Sequence, residues 1–311
     1  MPRYSFPWRS AYHRVMADSL IDKALRREVI TTFGDPHYRP PPLPSVAIQL
    51  VGISRNEDVE LKEVVRLLEQ DQVLAGIAMR IVSSPLYASR SPVSSLHQAV
   101  VRIGLKKLRG IVFEATLRSG MFDLPEYRDI AEQVSRHATT SAYVTRLVCQ
   151  TCELDPENGF LCGLLHDVGF SALLLSVTRA KSRDRPTLSA LWQDIDGLHE
   201  QATGIVVRLW GLPREIVDVV GQHHHPERCP TEDAMKVAAA VCVAEALTAR
   251  FGASIARSAP VEHGSADRVG ETTLASAREA LRLDDASLAK IIQRAEETLP
   301  GILGVAENDP A

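Results

Sequence analysis

Apolar residues recur at spacings of three and four along most of this chain, and no segment sustains the period-two alternation that a half-buried strand requires. "VAIQLVGI", "LKEVVRLLEQ", "VLAGIAMRIVSS", "LHQAVVRIG" and "LKKLRGIVFEATLRSGMF" are short amphipathic segments, set apart by Asn-Glu-Asp, Pro-Leu-Tyr, Ser-Pro and Gly signals. A second group of longer segments begins near Tyr127: "RDIAEQVSRHATTSAYVTRLVCQTC", "NGFLCGLLHDVGFSALLLSV", "SALWQDIDGLHEQATGIVVRLWG", "REIVDVVGQHHH" and "DAMKVAAAVCVAEALTARFG". Gly211 falls just after one of these and Pro213 where the next should start, the usual punctuation between helices. The spacing therefore predicts an all-α protein.

Two flanks frame these groups. Val15, Leu20, Leu25 and Val29 give the stretch from Tyr12 to about Thr32 a loosely helical pattern, which "GDPHYRPPPLPS" ends. Residues 254 to about 270 are small and polar and read as loop. Helical spacing then resumes in "TTLASAREALRLDDASLAKIIQRAEETL", with Asp284, Asp285 and Ser287 marking an internal turn. The expected organisation is a leader helix and proline-rich linker over 1–42, a small helical lobe over 43–125, a larger helical lobe over 126–252, and a polar loop with a helical tail over 253–311.

With 311 residues, of which 45% are hydrophobic and 24% charged, the chain has ample material for a sizeable core. A formal net charge of -4 gives no global reason to bind nucleic acid, and no long block of like charge suggests a polyanion or membrane-surface arm. The start is basic but lacks the apolar region of a signal peptide, and no later run is read as long enough to span a bilayer. Five cysteines, Cys149, Cys152, Cys162, Cys229 and Cys242, are odd in number and sparse, which fits a reducing compartment and places the protein in the cytoplasm.

The candidate chemistry lies in the second group of segments. "GLLHDVGF" sets His166 and Asp167 side by side inside an apolar run, and the same region carries His137, His199, His223, His224 and His225, so that six of the ten histidines lie between residues 137 and 225. Antiparallel helices could bring imidazoles from several segments to one depth of a bundle, the usual way such bundles build metal sites. Imidazole suits zinc, iron, manganese, nickel or cobalt, and an adjacent carboxylate can bridge two ions. Glu245 interrupts the apolar run "VAAAVCVAEALTA", so it either points to solvent or serves the site. Taken singly, each histidine also has a plain structural reading. His223 and His224 could meet the carbonyls of a helix end, His199 could lie on the surface, and His225 beside Pro226 looks like a loop residue. The clustering is what favours a site.

The order His137, His166-Asp167, His199 in "HEQATGIVVRLWGLP", then "HHH", resembles the HD superfamily of metal-dependent phosphohydrolases. Upstream, "LPSVAIQLVGI" and "LLEQDQVLAGIAMRIVSSPLYASRSPVSSLHQAVVRIGLKKLRGIV" are similar to the amino-terminal half of the HDOD domain, the HD-related output domain of bacterial signalling proteins. The resemblance runs from about Leu43 to Arg250. It implies an all-helical fold with a small lobe packed on an HD-like lobe, and a regulatory role, often without hydrolase activity. Carried over by position, it implies a ligand series of His137, His166, Asp167, His199, His223, His224 and Glu245. In the mononuclear or dinuclear reading, His137, His166, Asp167 and Glu245 would hold one divalent transition metal (Fe, Mn, Zn, Ni or Co). Asp167 would bridge to a second ion held by His199, His223 and His224.

Three departures bear on activity. Active relatives read "HDxGK", where this chain has Phe170 in the lysine position; the closing aspartate is Glu245; and no Gly-Tyr-Pro follows "QHHHPERCPTED", which leaves the cyclic-dinucleotide phosphodiesterase branch unsupported. The Asn-Ser pair frequent in the small lobe is Ser83-Ser84. "CQTC" at 149–152 has redox or zinc spacing but lacks the strand-to-helix context and a second ligand pair, so these read as helix-face cysteines. Lys106, Lys107 and Arg109 in "GLKKLRG" read as a solvated face, and Trp192 and Trp210 as core anchors.

The resulting expectation is a cytoplasmic signalling module that meets a protein partner, with a possible transition metal in its larger lobe. The alternative is a metal-dependent phosphohydrolase, in which Asp167 would be the catalytic centre.

Overall fold

A computed structural model of the chain describes residues 31–53, 61–70, 93–120, 127–179, 188–255 and 269–307 with part of 75–82, apart from isolated positions in these spans. Apart from its last two residues, the leader expected over Tyr12–Thr32 lies outside the described residues, as do Ser83, Ser84 and the side chain of Trp192. Among the described residues every regular element is helical.

The small lobe contains α1 (Ser45–Ile53), α2 (Leu61–Glu69), α3 (Leu96–Ile103) and α4 (Leu105–Gly120). The Ser95 hydroxyl caps α3 by accepting from the Gln98 amide at 3.2 Å. Gly104 then turns the chain at φ 82°, a left-handed conformation that glycine adopts without a Cβ penalty, and α4 starts at the next residue. One face of α4 buries Leu108, Ile111, Val112, Phe113 and Leu117.

The larger lobe is built on α5 (Arg128–Thr151) and α6 (Pro156–Leu165). Asp155 and Pro156 start α6. Gly159 and Gly163 let α6 lie flat on α5, for a Cβ would come within 2.4 Å of Cys149 Sγ at the first and 2.6 Å of Thr145 Oγ1 at the second. On its far side α6 meets the small lobe, where Gly110 of α4 seats the Phe160 ring and a Cβ would be 2.6 Å from it. Then follow α7 (Val168–Arg179), packed along α8 (Leu188–Leu209), and α9 (Arg214–Val220) and α10 (Glu232–Thr248). Gly211, at φ 72°, and Pro213 mark the join of α8 and α9. A single hydrophobic core runs through both lobes, from Phe33 and Leu50 to Val241 and Ile255. The proline-rich segment is tied into it, because the Trp210 indole N–H donates to the Pro41 carbonyl at 2.9 Å.

The tail folds back. Helices α11 (Glu271–Ala280) and α12 (Asp285–Glu307) build a second core with the outer faces of α5 and α10, where Ala277, Leu281, Ile291 and Leu299 meet Val148 and Val243. Between them the Ser287 amide donates to Asp284 Oδ1 at 2.7 Å.

Two expectations need correction. The "GLKKLRG" face is not uniformly solvated. Lys106 is exposed and pairs with Asp155 at 3.0 Å, but Arg109 is 7% exposed and donates to the Glu157 carbonyl at 3.2 Å, where burial lowers its pKa against the pull of Asp155. One stretch, Pro156–Thr178, is long and apolar enough to cross a bilayer, although none was expected. It is mostly buried inside the molecule and broken between α6 and α7, so it serves here as the centre of the larger lobe. Cys149 of "CQTC" is fully buried and Cys152 partly so, and all five cysteines are free thiols.

Candidate metal centre

The apolar run around "GLLHDVGF" is two helices, not one, and the break falls on His166 and Asp167. α6 ends at Leu165 and α7 starts at Val168, so both side chains leave the helical surface and turn into the bundle. The junction is held from α8. Thr203 Oγ1 accepts from the Gly169 amide at 2.9 Å and donates to the His166 carbonyl at 2.9 Å. The Gly169 amide is in the first turn of α7 and has no partner within that helix, so a hydroxyl from a neighbouring helix does the work of a cap. Gly169 also permits the contact, since a Cβ there would sit 2.2 Å from the His199 carbonyl oxygen.

The fold brings all seven expected side chains to one place. His137 comes from the middle of α5, His166 and Asp167 from the junction, His199 from α8, His223 and His224 from the turn after α9, and Glu245 from α10. Three overlapping groups keep their ligand atoms within 4.8 Å of one another: His137, His166 and Glu245; His166, Asp167 and His223; and His199, His223 and His224. Six of the seven are at most 5% exposed, while His224 retains 17% of its side-chain surface. His225 turns outward to pair with Glu227 at 3.2 Å and takes no part.

Four rings are oriented in the same way. Nδ1 lies 2.8 Å from the Gly163 carbonyl in His166, 2.6 Å from Asp196 in His199, 2.8 Å from Val220 in His223 and 3.0 Å from Ala253 in His137. A carbonyl can only accept, so each Nδ1 carries the proton and each Nε2 presents a lone pair, the tautomer of an imidazole ligand. The Nε2 atoms then face one another, at 3.2 Å between His137 and His166, 3.3 Å between His199 and His223, and 3.0 Å between His199 and His224. The opposed lone pairs of His137 with His166 and of His199 with His223 call for a cation between them. Protonation does not supply it at His223, whose pKa is held well below the usual histidine value by burial first and then by His224, His166 and His199. The donor set therefore fits a divalent transition metal.

Asp167 divides the cluster. Its Oδ2 is 3.6 Å from His137 Nε2 and 3.7 Å from His166 Nε2, while Oδ1 is 3.4 Å from His199 Nε2 and 3.8 Å from His223 Nε2. Glu245 Oε2 reaches His224 Nδ1 at 3.7 Å and closes the ring of ligands.

Several supporting residues had no signal in the reading of the sequence. Glu200 Oε1 accepts from the His224 amide at 2.9 Å, and burial pushes its carboxyl up to about 7 against that hydrogen bond. Cys242 places its thiol on the His223 carbonyl. Thr203 lies four residues after His199, on the same face of a helix, which was the available clue. Ala253 contributes only backbone and left no trace in residue type.

An all-helical bundle with a His-Asp centre defines an HD-type helical protein. A family model described as the HDOD domain matches residues 41–226, and the chain belongs to the HDOD family. Among solved structures, an HDOD domain protein of unknown function from Geobacter sulfurreducens is similar with a TM-score of 0.66 and 25% identity, over 92% of this chain and 97% of that one. A candidate signal-transduction protein from Marinobacter aquaeolei shares the fold with a TM-score of 0.60 and 18% identity, over 96% of this chain and 65% of that one. An uncharacterized protein of Treponema pallidum is 23% identical over 204 residues, which are 62% of this chain and 39% of that protein. The chain thus spans well under half the length of that curated relative.

Proposed function

We propose that this chain is a signalling output and interaction module whose larger lobe holds a divalent transition metal, mononuclear or dinuclear, as a structural and regulatory core rather than a catalyst. The observation that carries this reading is Phe170. It stands where active members of the superfamily carry lysine, and it is fully buried in the hydrophobic core, so this position offers no cation to a phosphate beside Asp167. The burial of six of the seven candidate ligands supports the same reading. Likeness in fold to the Marinobacter protein supports a protein partner in a signalling pathway. Five free cysteines fit a reducing compartment, and we place the protein in the cytoplasm.

A second reading, a metal-dependent phosphohydrolase, is favoured by one feature, the division of the two Asp167 oxygens between separate sets of imidazoles. A bound ion would supply Lewis acidity and activate water. His137, His166 and Glu245 would hold one ion, His199, His223 and His224 the other, and Asp167 would touch both.

Elemental analysis of the purified protein beside Asp167→Ala, followed by a screen of generic phosphodiesters with added manganese, separates these readings. The expected result is stoichiometric transition metal in the wild type, loss of it in Asp167→Ala, and no turnover by either. Hydrolysis that disappears with Asp167 would sink the regulatory reading. Wild-type protein without metal would sink the metal core.

A further inference from the structure

Three of the four oriented histidines take their carbonyl locally. His166, His199 and His223 each reach the residue three positions upstream, so the stretch of chain that carries the ring also orients it. His137 differs. It sits in the middle of α5, and its Nδ1 partner is the Ala253 carbonyl, 116 residues away and beyond the span matched to the family.

That carbonyl is presented by a defined turn. After α10 a short 3-10 segment, Ala249–Phe251, leads to Gly252 at φ 64° and ψ 28°. The Gly252 amide donates to the Ala249 carbonyl at 3.1 Å and the Ala253 amide to the Thr248 carbonyl at 3.0 Å, the paired bonds of a Schellman cap. Thr248, itself 3% exposed, donates its hydroxyl to the Glu245 carbonyl at 2.7 Å. The backbone at Glu245 and the orienting carbonyl of His137 are thus linked through a single turn that is buried at Thr248 and Ala253.

We propose that the Thr248–Ala253 turn is a positioning element for the His137, His166 and Glu245 half of the metal centre, acting through the Ala253 carbonyl on the His137 ring and through Thr248 on α10. The proposal rests on the reading of this cluster as a metal core. It assigns no role to the turn at the His199, His223 and His224 half, where the His199 and His223 rings are oriented by carbonyls three residues upstream.

Gly252 is the position to test, because it has a left-handed backbone and a Cβ there would meet nothing within 4 Å. A substitution therefore changes conformational preference without a clash. Asparagine tolerates this region and valine does not. The full-length chain, stripped of metal, is titrated with Mn²⁺ in two backgrounds: His199→Gln, which keeps the His137 half, and His137→Gln, which keeps the other. Gly252→Val should weaken binding about 10- to 100-fold in the first background, the usual effect of losing a partner behind a ligand, and leave the second unchanged. Gly252→Asn should stay close to the parent in both. In metal-free protein the His137 Nδ1–H signal in nitrogen-15 NMR should persist with asparagine and be lost with valine. Thr248→Val is measured alongside, so that a poorly folded Gly252→Val does not decide the matter, and it should show the same one-sided weakening.

Unchanged Mn²⁺ affinity in both backgrounds, or equal losses in both, overturns the positioning role while leaving the metal core intact. A wild-type chain that binds neither Mn²⁺ nor Zn²⁺ overturns the metal core and the positioning role together.

Discussion

At Thr203 one hydroxyl serves two backbone groups, accepting from Gly169 and donating to His166, and so fixes the break on which both central candidate ligands sit. Thr203→Val keeps the shape and removes both bonds inside a fully buried site. It should cost about 2–6 kcal/mol in urea denaturation, since each of the two buried groups deprived of its partner costs about 1–3 kcal/mol. Metal content should fall with it, because His166 and Asp167 are then free to rejoin a continuous helix. At this scale the residues with titratable or ligating side chains were legible, including the His166-Asp167 pair and the isolated Glu245. Thr203 and Glu200 were not, because ordinary polar residues acquire a role only from what another helix places beside them.

Among the elements, α6 depends on its first turn. Asp155 Oδ1 accepts from the Glu157 and Asn158 amides, and Oδ2 accepts from Lys106 of α4, so one carboxylate caps the helix and pins the small lobe to the larger one. Burial would raise its pKa, but the Lys106 bond and the two amides outweigh it and hold the group below 3.8. Asp155→Ala should therefore cost about 1–2 kcal/mol at pH 7, most of it from the lost cap, since an exposed ion pair adds little. The contribution is complete above pH 3.8, the value of the unperturbed group, and is lost as the pH falls through the depressed folded value. Denaturant midpoints of wild type and variant should converge in acid. Helical periodicity announced these elements well, with the join at Gly211 and Pro213 and the turn at Asp284. The break at His166 was not announced, because the apolar pattern of α6 resumes in α7 directly after the His166-Asp167 pair, with no proline to interrupt it.

For the whole molecule, the centre joins five segments of the larger lobe, so an ion held there binds the folded state alone. At a free concentration one hundred times its dissociation constant such an ion adds about 2.7 kcal/mol to stability. Dialysis against EDTA should lower the melting temperature by roughly 4 °C for a chain of this size. Asp167→Ala should melt at the same temperature with and without the chelator. The second core adds a further constraint, because α11 and α12 press on the outer faces of α5 and α10, which carry His137 and Glu245 on the inside.

The sequence by itself determined the fold class, the family and the residue types available for a metal centre, because helical spacing and the series of histidines are local or ordered along the chain. Tertiary structure alone decided which atoms face one another. The tautomers follow from carbonyls that only the fold brings near, the two oxygens of Asp167 are divided by where α5 and α8 cross the junction, and His137 depends on a carbonyl 116 residues away. Convergence of this kind is set by close helix packing at Gly163 and Gly169, where the absence of a side chain is what counts and its consequence appears only once the neighbouring helix is in place.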